Sequence, residues 1–352
     1  MKRGFLCGTV GQRQSTRKMT TKKYTSVEIC AGAGGQALGV EMAGFEHKAL
    51  VEIDEAACAT LRLNRPQWNV LGMDINHVQG AWFGDVDLLS GGVPCPPFSV
   101  AGKQLGEKDE RNLFPQAIRL VSEIRPRAVM FENVRGIFDP QFDGYRDWIG
   151  SELARLGYKT YWNLLQASEY GVSQLRPRAL CVALRKDLNV EFEWPMASLF
   201  PAKSVGELLY DLMKSEGWQG AEAWRDAANE IAPTLVGGSK KHGGADLGPT
   251  RARKKWASLG VDGSGLADDV PCADFQGLPK LTIRMAARIQ GFPDGWKFYG
   301  RKTAAYRQIG NAFPPPVAQA VAVSIKKCLE QSSKKNEKEN TSAHYGRTYK
   351  VS

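Results

Sequence analysis

The sequence is poor in the features that mark several large protein classes. No apolar run approaches the roughly 20 residues that a membrane-spanning helix needs. Its seven cysteines are scattered, odd in number and include no Cys-x-x-Cys pair. That argues against a zinc module and a disulfide framework, and for a reducing compartment. No internal repeat is visible, so a solenoid or propeller is not indicated. The basic opening, "MKRGFLCGTVGQRQSTRKMTTKK", has too short an apolar stretch for a signal-peptide core. Residues 1–23 read as a disordered basic tail, with Met19 as an alternative start. The polar residues 331–352 read as a second disordered tail.

What remains is globular. The chain has 352 residues, 43% hydrophobic and 24% charged, enough for one large domain or two modest ones. Its net charge of +10 favours a polyanionic partner, either nucleic acid or an anionic membrane surface.

Short apolar runs alternate with amphipathic stretches through the first half. "YTSVEIC", "HKALVEID", "WNVLGMDI", "DVDLLSGG", "RAVMFENV", "YKTYWNLLQ" and "ALCVALR" have strand character. "GQALGVEMAG", "EAACATLRLN", "NLFPQAIRLVSEI" and "YRDWIGSELARLG" have helical spacing. Such alternation predicts an α/β fold with a parallel, doubly wound sheet. After Trp194 the texture changes, and residues 195–280 are rich in Gly, Pro, Lys and Trp with little periodicity. The run "GGSKKHGGADLGPTRARKKW" holds six Lys or Arg against one Asp, and reads as a basic loop system. Helical order returns at "LTIRMAARIQGFPDGW", with Thr282 as its cap, and in "PPVAQAVAVSIKKCLE".

"EICAGAGGQALG" joins the first strand to the first helix. Its glycines let the backbone approach a ligand, and the helix start offers free N–H groups. Glu52 follows about 20 residues later at the end of the second strand, where a carboxylate accepts ribose hydroxyls. Asp74 ends the third strand. Three successive strand ends bearing Gly, Glu and Asp fit an adenosine-type pocket. A nicotinamide enzyme satisfies the same loose pattern.

"GGVPCPPFSVAGKQ" places Cys95 on that same sheet edge, in a turn stiffened by prolines. A lone cysteine is more often core filling than nucleophile. Its company argues otherwise. Glu132 in "FENV" leaves the next strand at the same edge, and "QLRPR" sets Arg176 and Arg178 just before another strand. A thiol, a carboxyl group and a guanidinium beside an adenosine pocket suggest covalent catalysis on a polar heterocycle.

These segments together resemble the DNA (cytosine-5)-methyltransferases of restriction-modification systems, over roughly residues 25–190 and 280–328. "EICAGAGGQALG", "PCPPFS", "ENV", "QLRPR", "RMAARIQGFPDGW" and "QIGNAFPPPVAQAV" resemble six motifs of that family, in its order. Two departures are Cys30, where the family usually has an aromatic residue, and Pro96, where many members have Gln.

The resemblance implies an α/β, doubly wound (Rossmann-like) S-adenosylmethionine-dependent methyltransferase domain, residues 24–194 plus 303–330. It implies a smaller irregular target-recognition domain, residues 195–302. The cofactor is S-adenosylmethionine, without a metal. Catalysis falls to Cys95, Glu132, Arg178 and Arg176. The cofactor is held by Ala31, Gly32, Ala33, Gly34, Glu52, Ile53, Asp74, Ile75, Pro94, Leu113, Asn311 and Ala312. DNA contacts are expected from Ser99, Lys103 and Gln104 in a closing loop, and from Lys240, Lys241, Arg251, Arg253, Lys254 and Lys255. The implied partner is double-stranded DNA, with no membrane, a monomeric state, a cytoplasmic or nucleoid location, and a cognate endonuclease acting on the same sequence. Three rivals stay open: a tRNA-directed member of the family, a non-catalytic DNA-binding protein on this scaffold, and a nicotinamide oxidoreductase. The tRNA-directed members carry a Cys-Phe-Thr tripeptide that this chain lacks.

Overall fold

The computed structural model describes residues 23–94, 112–238 and 244–348, with side chains as far as Lys335. Cys95, Ser99, Lys103, Gln104, Lys240 and Lys241 lie outside the described residues.

Seven strands form one sheet: β1 (Tyr24–Ile29), β2 (Phe45–Glu52), β3 (Val70–Gly72), β4 (Leu88–Gly92), β5 (Ala128–Val134), β6 (Tyr158–Gln166) and β7 (Pro177–Arg185). Their order is β3-β2-β1-β4-β5-β7-β6. The first five run parallel to one another. β7 runs antiparallel to both β5 and β6, which corrects the expectation of an all-parallel sheet. The reason is the link from Gln166 to Pro177, whose only regular piece is the single 3-10 turn Ala167–Tyr170. A parallel return needs a crossover of a dozen or more residues, usually a helix.

Helices α1 (Gly35–Met42), α2 (Glu55–Asn64), α3 (Phe114–Ile124) and α4 (Asp143–Arg155) alternate with the strands. Val27, Ile29, Leu89 and Val129 pack on one sheet face with Phe114, Leu120 and Leu153 of α3 and α4. Leu88, Met130 and Val182 pack on the other, against Val317, Val321 and Ile325 of the last helix. Coverage of both faces explains the nearly continuous apolar strands. "WNVLGMDI" is strand only over Val70–Gly72; Asp74 then caps a short 3-10 turn by accepting from the Asn76 amide.

The stretch read as unpatterned contains helices α5 (Val205–Lys214), α6 (Ala221–Ala227) and α7 (Thr250–Ser258), followed by α8 (Ile283–Ile289), α9 (Lys302–Asn311) and α10 (Pro315–Thr348). Ser204 and Glu207 form a reciprocal cap on α5. Thr282 caps α8 as expected, accepting from the Met285 amide. The basic run "TRARKKW" is helical because Trp256 is wholly buried and anchors α7. One core cluster unites Leu61 and Trp68 with Trp224, Trp256, Leu281, Trp296 and Tyr306, so residues 205–312 pack directly on the flank of the sheet domain. α10 continues through residues 331–348, and Ser332 is buried within it.

Candidate active site

A cavity of about 560 Å³ lies at the carboxyl edge of the sheet. Parallel strands deliver their last residues to one edge, so loops from separate strands meet there. Ala31, Gly32 and Ala33 from the glycine loop line it, with Glu52 and Ile53 after β2 and Asp74 and Ile75 after β3. Pro94 and Leu113 line it too, as do Asn311 and Ala312 at the end of α9. Gly34 is the exception among the expected contacts and is a correction. It caps α1 in a left-handed conformation, φ 85°, and a Cβ there would fall 2.6 Å from Leu61 Cδ2. Gly34 therefore faces the core and shapes the turn.

Glu52, expected at the ribose, fixes the glycine loop. Its Oε2 accepts from the Gly32 amide and its Oε1 from the Asp54 amide, both at 2.7 Å. Burial pushes its carboxyl group up, and those amides pull it partly back.

Glu132 and Arg178 meet because β7 is antiparallel. Arg178 pairs with Val134 in register, which sets it diagonal to Glu132 on the same sheet face. In a parallel strand it would emerge at the opposite edge. Arg178 Nε lies 2.9 Å from Glu132 Oε1, with both side chains nearly buried. Burial raises the Glu132 carboxyl, and the opposing pull of Arg178, then Arg176, does not cancel it. Glu132 lines the cavity and is biased toward holding a proton there. Asn133, which sequence reading passed over, donates to Val93 O at 2.9 Å. Leu113 N donates to Pro94 O at 3.4 Å, so the two ends of segment 95–111 are tied together at the cavity.

Arg176 corrects its expected role. It is fully buried and does not line the cavity. Its Nη1 donates to Leu235 O at 2.7 Å, and its Nη2 to Gly310 O at 2.6 Å and Ala312 O at 3.1 Å. It staples remote segments together.

Three further groups escaped sequence reading. Glu28 is fully buried yet part of the cavity lining, and burial drives its carboxyl up to about 8. Its Oε2 accepts from Ser90 Oγ at 3.1 Å, while Oε1 has no protein partner. Gln36 also lines the cavity with both polar side-chain atoms unpartnered. A charged residue within "SVEIC" was the one visible signal. Arg307 is the third. Five carboxyl groups (Glu28, Glu52, Asp54, Asp74 and Glu132) thus face this cavity. Cys30 lines it in a left-handed conformation, φ 52°, and burial, then Glu52, raises its thiol.

On α7, Arg251, Arg253 and Lys254 are exposed. Lys255 is paired with Glu230 Oε2 at 2.7 Å, both side chains being partly exposed. Among the described residues no group of His, Cys, Asp or Glu is placed to hold a metal ion, and no helix is long and apolar enough to cross a membrane.

The fold is an open α/β sheet with a cavity at its carboxyl edge, and comparison with known proteins makes it specific. The chain matches the C-5 cytosine-specific DNA methylases over residues 24–327 and belongs to that family. It is 55% identical to the type II methyltransferase M.NgoMIV of Neisseria gonorrhoeae, over 88% of this chain and all of the relative. It is 53% identical to M.NaeI of Lentzea aerocolonigenes, over 90% of this chain and 78% of the relative. A DNA modification methyltransferase encoded within a prophage, from E. coli, shares the fold at a TM-score of 0.65 and 24% identity, covering 88% of this chain and all of that one. The enzyme is thus a DNA (cytosine-5-)-methyltransferase of type II restriction-modification type. The nicotinamide reading is overturned.

Proposed function

We propose that the chain transfers a methyl group from S-adenosylmethionine to C5 of a flipped-out cytosine in a specific duplex sequence, and so protects host DNA from a cognate endonuclease. The observation that carries this is the buried Glu132–Arg178 pair, whose Glu132 lines the same cavity as the glycine loop and Glu52.

The cavity suits the cofactor. Its wall offers carboxyl acceptors to a ligand bearing ammonium and ribose hydroxyl groups, and the Gln36 side-chain amide, unpartnered within the protein, is a group that a bound ligand satisfies. Glu52 serves the ribose, with Ile53, Asp74 and Ile75 at the adenine end; Ala31, Gly32 and Ala33 take the methionine portion, and Pro94, Leu113, Asn311 and Ala312 complete the wall. When bound, the cofactor supplies an electrophilic methyl group.

The chain's own residues do the rest. A cytosine within a duplex hides C5 and C6, so flipping it costs a few kcal/mol. Cys95 follows directly on Pro94, a cavity residue, and its thiolate adds to C6. Glu132 holds its proton toward N3 and withdraws charge from the ring, while Arg178 fixes the carboxyl group and the O2 side of the base. C5 takes the methyl group, its proton leaves to solvent, and elimination restores the Cys95 thiolate. The basic stretch 195–280 reads DNA, with Arg251, Arg253 and Lys254 on phosphates or bases, joined by Lys240 and Lys241, while Ser99, Lys103 and Gln104 close over the site. The protein acts as a monomer in the bacterial cytoplasm or nucleoid.

Duplex DNA carrying 5-fluorocytosine tests this, because fluorine blocks the elimination. Wild-type protein with cofactor should form a denaturation-resistant adduct, and Cys95→Ser none. An adduct with Cys95→Ser refutes the nucleophile assignment.

A further inference from the structure

Two buried glutamines sit between the cofactor cavity and the segment that leads into the basic region. Gln174 Nε2 donates to Gln290 Oε1 at 2.7 Å, and both residues are fully buried. Gln174 Oε1 accepts from the Leu235 amide at 2.9 Å and from Arg176 Nη1 at 3.3 Å. Gln290 Nε2 donates to Ala312 O. Arg176 closes the circuit by donating to Leu235 O, Gly310 O and Ala312 O. Each amide therefore has one orientation that satisfies its neighbours, since only its nitrogen donates and only its oxygen accepts.

The circuit joins segments 174–176, 235, 290 and 310–312. Asn311 and Ala312 line the cofactor cavity. Leu235 lies just before Gly237 and Gly238, the last described residues ahead of the lysine pair. The two backbones touch there. A Cβ on Gly310 would fall 2.3 Å from Gly237 N, and one on Gly237 would fall 2.4 Å from Arg307 O. Asn311 Nδ2 also donates to Gly238 O at 3.2 Å. Backbones packed without slack and backed by buried hydrogen bonds move as one body.

We propose that Gln290, acting through Gln174 and Ala312, is a positioning residue that couples the cofactor cavity to segment 235–238, so that cofactor and DNA strengthen each other's binding. This rests on the function proposed above. A cofactor that orders the 310–312 wall also orders 235–238 before DNA arrives, and by linkage DNA returns the same factor to the cofactor.

The experiment measures the dissociation constant of S-adenosylhomocysteine by calorimetry, alone and with excess sheared unmethylated bacterial DNA, which carries every short target. Wild type should bind at least about fivefold more tightly with DNA present, the lower end of usual coupling. Gln290→Leu should keep its DNA-free affinity within about threefold while the ratio collapses toward one. Gln290→Met keeps a similar volume but has neither the acceptor for Gln174 nor the donor to Ala312, and should behave alike if Gln290→Leu does not fold. A merely structural role lowers the melting temperature and leaves the ratio intact; that result overturns the proposal, as does a wild-type ratio of one with normal DNA-free binding. Absence of DNA-free binding in the wild type overturns the proposed function as well.

Discussion

Replacing Glu28 with Gln should flatten the pH dependence of folding between pH 5 and 8. Glu28 is fully buried, and burial outweighs the hydrogen bonds from the Ser90 hydroxyl and the Ala37 backbone, raising the carboxyl from an ordinary 4.5 to about 8. In that interval the folded chain keeps a proton that the unfolded chain has released. Stability contributed by neutral Glu28 is therefore complete below pH 4.5 and drains away as pH rises toward 8. The full gap corresponds to about 5 kcal/mol, an upper limit because water entry and local relaxation ease ionisation. Most of it falls between pH 5 and 8. Gln has the shape of the protonated acid and no titration. At pH 5 the two proteins should agree within about 1 kcal/mol, and by pH 8 the variant should be the more stable by a few kcal/mol. Urea unfolding without cofactor, at half-unit pH steps, measures both curves. Parallel curves would refute the claim that Glu28 is held neutral.

Glu52→Ala should weaken S-adenosylhomocysteine binding by about 1–3 kcal/mol, since it removes a charged acceptor and also frees the Gly32 amide; equal calorimetric affinities would count against the drawn cavity. Reversing Arg253 and Lys254 to Glu should weaken binding to all duplex sequences and reduce the slope of log affinity against log salt, by about 0.9 for each phosphate no longer neutralised. An unchanged slope in filter binding would remove α7 from the DNA interface.

The contiguous signals were legible. The glycine loop, Glu52 and Asp74 each lie at or just beyond the end of a strand, and a parallel sheet brings such residues to one edge whatever else the chain does. Thr282 announced α8 because a cap is a local bond. Non-local facts were not legible. Arg176 and Arg178 are two residues apart in "QLRPR", yet one is sealed among carbonyls of residues 235, 310 and 312 and the other faces Glu132. Nothing in five letters separates them, because their partners lie far along the chain. The reversal of β7 was likewise hidden, since it depends on the short link after β6. The Lys255–Glu230 pair was not legible either, because 25 residues separate its partners. α7 was missed where Lys and Arg masked its single apolar anchor, Trp256.

The most direct test of methyl transfer to cytosine C5 is base-resolution sequencing of DNA from a bacterial host that lacks cytosine methylation, after expression of this chain. The account predicts 5-methylcytosine at one fixed position of one short recurring sequence, at nearly every copy, and none with an equally abundant, folded Glu132→Gln variant. Unmodified DNA beside abundant, folded wild-type protein, or full methylation by the Glu132→Gln variant, would contradict it.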